Sequence, residues 1–152
     1  MADTPEKQRA GWMGVLARAD AAALAARMAE LGDRPGHVFL RPPEFGAVMT
    51  RGRAGGAGRL FSMGEMTVTR CAIRLDGRSD VSGHAYVQGR NADKATNAAV
   101  ADAMLQCPDL ADAVMTTVVT PLKDAEADRR LRARQKAGSS KVDFFTMVRA
   151  EG

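Results

Sequence analysis

Met66-Thr67-Val68-Thr69-Arg70-Cys71-Ala72-Ile73-Arg74-Leu75, followed by Asp76-Gly77 and Ser82-Gly83-His84-Ala85-Tyr86-Val87, decides the fold class. The first ten residues alternate with the period of a strand. Met66, Val68, Arg70, Ala72 and Arg74 take one face; Thr67, Thr69, Cys71, Ile73 and Leu75 take the other. Neither set is uniformly apolar, so both faces are expected to be partly covered. Asp76-Gly77 is turn chemistry, and Ser82 to Val87, closed by Gly89, is the next strand. A connection this short cannot carry a parallel crossover, so the strands pair antiparallel.

Upstream, His37-Val38-Phe39-Leu40 is a short apolar run ended by Pro42-Pro43. Gly46-Ala47-Val48-Met49-Thr50 and Phe61-Ser62-Met63 are further strand candidates. The expectation is an antiparallel sheet of about four strands. Before the sheet, Thr4-Pro5 reads as a helix start, and a helix to about Ala17 sets Trp12, Val15, Leu16 and Ala19 on one face. Asp20 caps a second helix carrying Leu24, Met28 and Leu31, and Gly32 stops it. After the sheet, Asn91 caps a helix to about Gln106 that is apolar nearly all round, as buried helices are. Asp109 to Thr117 holds one more turn or two. Pro121 precedes a helix over about Lys123 to Ala137 with acids first and bases later, an order that suits the helix dipole and offers Glu126–Arg130 and Asp128–Arg132 as pairs. Gly138-Ser139-Ser140 reads as a hinge. The class is therefore α+β, in one domain over 1–152: a helical N-terminal segment over 1–32, the sheet over 33–90, helices over 91–137, and a hinge with an apolar tail at 138–152.

That tail, Val142-Asp143-Phe144-Phe145-Thr146-Met147-Val148-Arg149, holds two of the chain's five phenylalanines. Chain ends fray unless tied down, so an end this apolar is expected to dock. Val142, Phe144, Phe145, Met147, Val148 and Arg149 are read as partner-binding residues, set by the hinge for strand addition.

At 152 residues and 45% hydrophobic content the chain is long enough to bury a real core. Its formal charge of +4 favours acidic partners without choosing among them. No run approaches the ~18 apolar residues of a membrane span. The N-terminus lacks the blocks of a signal peptide, so a cytoplasmic protein is expected. Cys71 and Cys107, without a CxxC or paired histidines, make neither a disulfide framework nor a zinc site. They read as small buried residues.

Arg51-Gly52-Arg53-Ala54-Gly55-Gly56-Ala57-Gly58-Arg59 is the candidate phosphate loop. Gly55, Gly56 and Gly58 let backbone N–H groups approach an anion, and Arg51, Arg53 and Arg59 supply charge. It lacks the Gly-Lys-Ser/Thr ending of a P-loop, and a flexible hairpin turn is the plainer reading. Arg90, beside the start of the following helix, is a second candidate anion contact, against a simple strand-to-helix junction. His84 reads as structural. The bases from Arg129 to Lys136 fit a solvated helix as well as a phosphate grip, and no interleaved aromatics favour single-stranded nucleic acid. No Ser-His-Asp, Cys-His or paired-carboxylate constellation stands out.

Several segments together resemble the PhnG family of carbon–phosphorus lyase complex subunits. They are Trp12-Met13-x-Val15-Leu16-Ala17, Gly55-Gly56-x-Gly58 leading to Phe61, Thr67-x-Thr69-Arg70-x-Ala72-x-Arg74-Leu75, Val87-Gln88-Gly89-Arg90, Ala133-Arg134-Gln135, and the terminal Val142 to Arg149. The resemblance implies phosphonate catabolism. It implies a non-autonomous subunit assembled with PhnH, PhnI and PhnJ, and acting with the ATPase-like PhnL. The assembly displaces adenine from ATP with an alkylphosphonate, giving a ribose 1-phosphonate 5-triphosphate. The nucleosidase chemistry is attributed to PhnI, and a later radical step on PhnJ cleaves the carbon–phosphorus bond. The resemblance implies no cofactor or metal on this chain, no nucleic acid and no membrane. Two rival readings stay open: a basic nucleic-acid-binding or general interaction module, and an autonomous transferase using the glycine loop.

Overall fold

The structure is a computed structural model that describes residues 4–139. Helix α1 (Pro5–Arg18) begins where Thr4-Pro5 predicted, with the Thr4 carbonyl accepting from the Lys7 and Gln8 N–H groups. Helix α2 (Ala21–Glu30) is capped by the Asp20 side chain, which accepts from the Ala23 N–H at 3.0 Å. Three strands follow: β1 (His37–Arg53), β2 (Leu60–Leu75) and β3 (Ser82–Gln88), antiparallel in the order β1-β2-β3. Asn91 caps α3 (Ala92–Leu105) by accepting from the Lys94 N–H at 2.8 Å. Then come α4 (Pro108–Val114), a π-helical turn (Met115–Val119) and α5 (Thr120–Ser139).

Several expectations change. The four strand candidates before Asp76 are two long strands, so the sheet has three strands rather than about four. Pro42 and Pro43 do not end β1. It is an outer strand, where a residue without an N–H can face away from the ladder, and register slips between Phe39, Arg41 and Glu44 absorb the pair as bulges. The helices after Cys107 also run together. Pro121 lies inside this rod, where its ring would press on the carbonyl four residues back. The wider π turn immediately before it relieves that conflict. The rod continues through Gly138 and Ser139, where the hinge was expected to begin.

The helices form one layer against the sheet. Thr69, Cys71, Ile73 and Leu75 of β2 are buried toward α3, while Val68 and Ala72 on the opposite face are also covered. Both faces of β2 are thus partly covered, as its mixed alternation predicted. Gly83 lets α3 sit close: a Cβ there would stand 1.9 Å from the Ala99 carbonyl oxygen. Ala95, Ala98, Ala99, Ala101 and Ala103 carry this small-residue contact. Leu16, Leu24, Met28, Val114 and Val118 close the core around it. Cys71 and Cys107 are free and buried, and burial pushes both thiols up from their ordinary range.

One buried carboxylate inside α3, that of Asp102, is fully enclosed. It accepts from Arg9 Nε at 3.2 Å and Nη2 at 2.8 Å, Trp12 Nε1 at 2.9 Å, the His84 backbone N–H at 3.0 Å and Gln106 Nε2 at 3.4 Å. Arg9 and Gln106 also donate to the Ser82 carbonyl. This network joins α1, α3 and β3. Replacing Asp102 with Ala strands a guanidinium, an indole N–H and a backbone N–H around an empty site. We expect a loss of about 3–5 kcal/mol, read as a lower urea midpoint, with a change in the fluorescence of the half-buried Trp12 showing that α1 has come away.

Candidate functional site

Beyond Gly46 and Val68 the sheet narrows, because β3 pairs only with Val68–Arg74 of β2. From Ala47↔Thr67 to Arg53↔Leu60, β1 and β2 pair with each other alone among the described residues. Their seven registered pairs make a two-stranded arm roughly 20 Å long at ~3.3 Å per residue. The Thr50 hydroxyl donates to the Gly64 carbonyl at 2.9 Å and steadies a bulge midway. The side chains are large and apolar on both faces: Val48 points one way and Met49 the other. Met49 is 57% exposed, Leu60 54%, Phe61 49% and Met63 65%, and Phe45 at the root is 52% exposed. Values near one half mean that these groups have no cover on at least one side.

The candidate phosphate loop is the tip of this arm. Ala54–Gly56 forms a 3₁₀ turn, with Gly55 at φ 59° and Gly56 at φ 80°, a left-handed backbone that favours glycine. The Gly58 N–H closes the turn on the Ala54 carbonyl at 2.8 Å, and Arg53 Nη1 donates to the Gly58 carbonyl at 3.1 Å. Strand β2 follows, not a helix. Arg90 is elsewhere. Its guanidinium lies 5.5 Å above the Phe45 ring at the root, eight strand residues (about 25 Å) from Arg53. The structure therefore does not gather Arg51, Arg53, Arg59 and Arg90 into one pocket. At the junction beside Arg90, the Thr69 hydroxyl donates to the Gly89 carbonyl at 2.6 Å and accepts from the Asn91 N–H at 2.9 Å. That occupies a backbone donor at the start of α3.

A cluster the sequence did not reveal lies in an open groove at the root of the arm. Val48, Met66 and Tyr86 line its sheet side; Arg18, Lys94, Arg129 and Arg130 line its helical side. The buried Glu126 carboxylate accepts from Arg18 Nε at 2.6 Å and Arg130 Nη2 at 2.5 Å. Lys94 Nζ donates to the Ala17 carbonyl at 2.8 Å, and Arg129 Nη2 to the Arg18 carbonyl at 3.5 Å. Those carbonyls end α1, the negative pole of its dipole. The cations are thus gathered by the fold itself. Burial lowers the Lys94 ammonium from its ordinary value, with nearby Asp20 opposing the shift and Arg129 reinforcing it. Ring nitrogen Nε2 of His84 is 3.1 Å from the Ser82 hydroxyl, and the His84 backbone serves Asp102. Among the described residues no three His, Cys, Asp or Glu side chains come together to hold a metal.

A family model described as phosphonate metabolism protein PhnG matches residues 7–150. The chain belongs to the PhnG family. It is similar to the alpha-D-ribose 1-methylphosphonate 5-triphosphate synthase subunit PhnG of Rhizobium meliloti (strain 1021), with 36% identity over 149 residues, 98% of this chain and 94% of that protein. The family match takes in the arm, the groove and the Asp102 network alike. It also reaches across the terminal segment, although the partner-binding candidates Val142, Phe144, Phe145, Met147, Val148 and Arg149 lie outside the described residues.

The cations of the groove come from α1, α3 and α5, with more than a hundred residues between Arg18 and Arg129, so no local pattern could join them. Glu126 and Arg130 were legible as an i,i+4 pair; the third member, Arg18, was not. The hydrogen bond from Arg18 holds the Glu126 carboxyl below the usual glutamate range. The charges of Arg18, Arg130 and Arg129 add to this effect, and burial opposes it. A carboxylate depressed in the folded state contributes stability above its unfolded value and loses it as pH falls through the folded value. Glu126→Gln should therefore lower the melting temperature at pH 6–7, and its deficit against the parent should shrink as pH falls below about 4. A deficit independent of pH would mean that packing, not charge, holds this corner.

Proposed function

We infer that this chain is a non-autonomous subunit of alpha-D-ribose 1-methylphosphonate 5-triphosphate synthase, in the carbon–phosphorus lyase system of phosphonate catabolism. The observation that carries the reading is the uncovered apolar arm. An isolated two-stranded ribbon is marginal in water, and a chain that extends one with large apolar side chains on both faces is built to be completed by other chains. The near-full-length likeness to a named synthase subunit says which assembly that is. The reaction is displacement of adenine from ATP by an alkylphosphonate, giving a ribose 1-phosphonate 5-triphosphate. The partners are PhnH, PhnI and PhnJ, with PhnL acting alongside. ATP and alkylphosphonate reach this chain through the complex, which works in the cytoplasm, and no cofactor is assigned to this chain.

The chain by itself should release no adenine from ATP and methylphosphonate, whereas the same chain combined with PhnH, PhnI and PhnL should. Chromatography of free adenine reads both. Sustained turnover by the chain alone would make it the catalyst and overturn the assignment.

The terminal segment belongs to the same proposal. Phe144, Phe145, Met147 and Val148 bury against a partner, each phenylalanine contributing on the order of 2 kcal/mol. Ending the chain at Ser140 should abolish co-purification with the partner subunits and leave the melting curve of the remaining domain unchanged. Collapse of the shortened domain would instead assign the segment to the chain's own core.

A further inference from the structure

We propose that the distal hairpin, from Ala47 to Thr67, inserts into an apolar cleft rimmed by carboxylates on a different subunit of the synthase. This rests on the reading of the chain as a synthase subunit, and it names the element that makes the joint and the chemistry of what receives it.

Three observations converge on this element. First, Met49, Leu60, Phe61 and Met63 are all close to half exposed or more, on a ribbon with no third strand among the described residues over its distal half. Second, the charge is one-sided. Arg51, Arg53 and Arg59 surround the tip, and Glu65 is the sole acid between Ala47 and Thr67. Glu44, the nearest other acid, lies at the root and is taken by Arg70 at 2.6 Å. Third, the outer edge of β1 is guarded unevenly. Pro42 and Pro43 interrupt it at the root, whereas Ala47 to Arg53 has no proline and offers a backbone edge that a partner strand can join.

The charge pattern selects the occupant. A second copy of the arm would set three arginines against three arginines. The chain's own terminal segment carries Lys141 and Arg149 against Asp143 and Glu151, so it brings no excess acid. A nucleic acid would satisfy the arginines but leave Met49, Leu60, Phe61 and Met63 in water. A protein cleft with an apolar floor and an acidic rim satisfies both sets. The arginines then sit at the wet margin, where charge steers encounter and fixes register, while the apolar groups at the centre hold the complex.

The test is co-expression of the full-length chain with the other synthase subunits, using two double variants, Phe61→Ser with Met63→Ser and Arg51→Glu with Arg59→Glu. The apolar variant should weaken recovery of the complex roughly tenfold or more. The charge-reversed variant should assemble less well at low salt, and its deficit should narrow as salt screens the rim. Both isolated variants should keep the parent's melting temperature, because the altered side chains are exposed. Normal assembly of both variants, beside a parent that assembles, would overturn the arm as the joint while leaving the subunit reading intact. A parent that recovers no partner would overturn the subunit reading instead. An isolated parent that forms a dimer broken by the apolar variant would make the occupant a second copy. Salt-dependent binding of the isolated chain to duplex DNA, lost on charge reversal, would make it a nucleic acid. A large fall in melting temperature would return the arm to the chain's own core. Each of these last three results also overturns the proposal.

Discussion

A single buried carboxylate holds the layers in place. Asp102 faces inward from a helix whose other buried residues are all apolar, and its oxygens gather Arg9, Trp12, Gln106 and the His84 backbone. Burying a charge is costly unless it is paired and hydrogen-bonded, and here the donors come from α1, β3 and the end of α3 at once. The carboxylate is satisfied only when these elements stand in one arrangement. The network ties α1 to β3 and α3.

Helix α1 is tied at its other end as well. Its last carbonyls draw in Lys94 and Arg129, and Arg18 reaches Glu126 across to α5. The helical layer is thereby closed on itself, and β3 accompanies β2 only as far as Val68. Strands β1 and β2 do not stop there. The close approach at Gly83 serves β3 alone, and β3 ends at Gln88. What remains of the hairpin extends past β3, with hydrophobic side chains that the described elements leave about half exposed.

This division fits a small subunit of a synthase. The described residues present a packed base, an apolar arm and a cation cluster already bonded to the end of α1 and to Glu126. His84 meets Ser82, and Arg18 and Arg130 are bonded to Glu126.

The sequence by itself determined the local structure. The caps at Asp20 and Asn91, the alternation of β2, the all-round burial of α3 and the Glu126–Arg130 pair each depend on residues within a few positions of one another. Their physics is complete at that range. Family membership was legible for a related reason, since its motifs are strings of neighbours. The tertiary structure alone decided the rest. Pro42 and Pro43 read as a stop, yet β1 passes through them, because whether a missing N–H matters depends on which side of the strand has a neighbour. Pro121 read as a boundary and became the interior of a rod, because a π turn upstream made room for it. Asp102 gave no sign of Arg9 or Trp12, nor Arg18 of Glu126, since these partners lie 90 or more residues apart. The glycine loop, whose plainer reading was a hairpin turn, is the turn between β1 and β2, and only the fold shows how far it lies from Arg90. Exposure is a property of the whole packed chain, and no window of sequence shows which apolar residues the core has no room for.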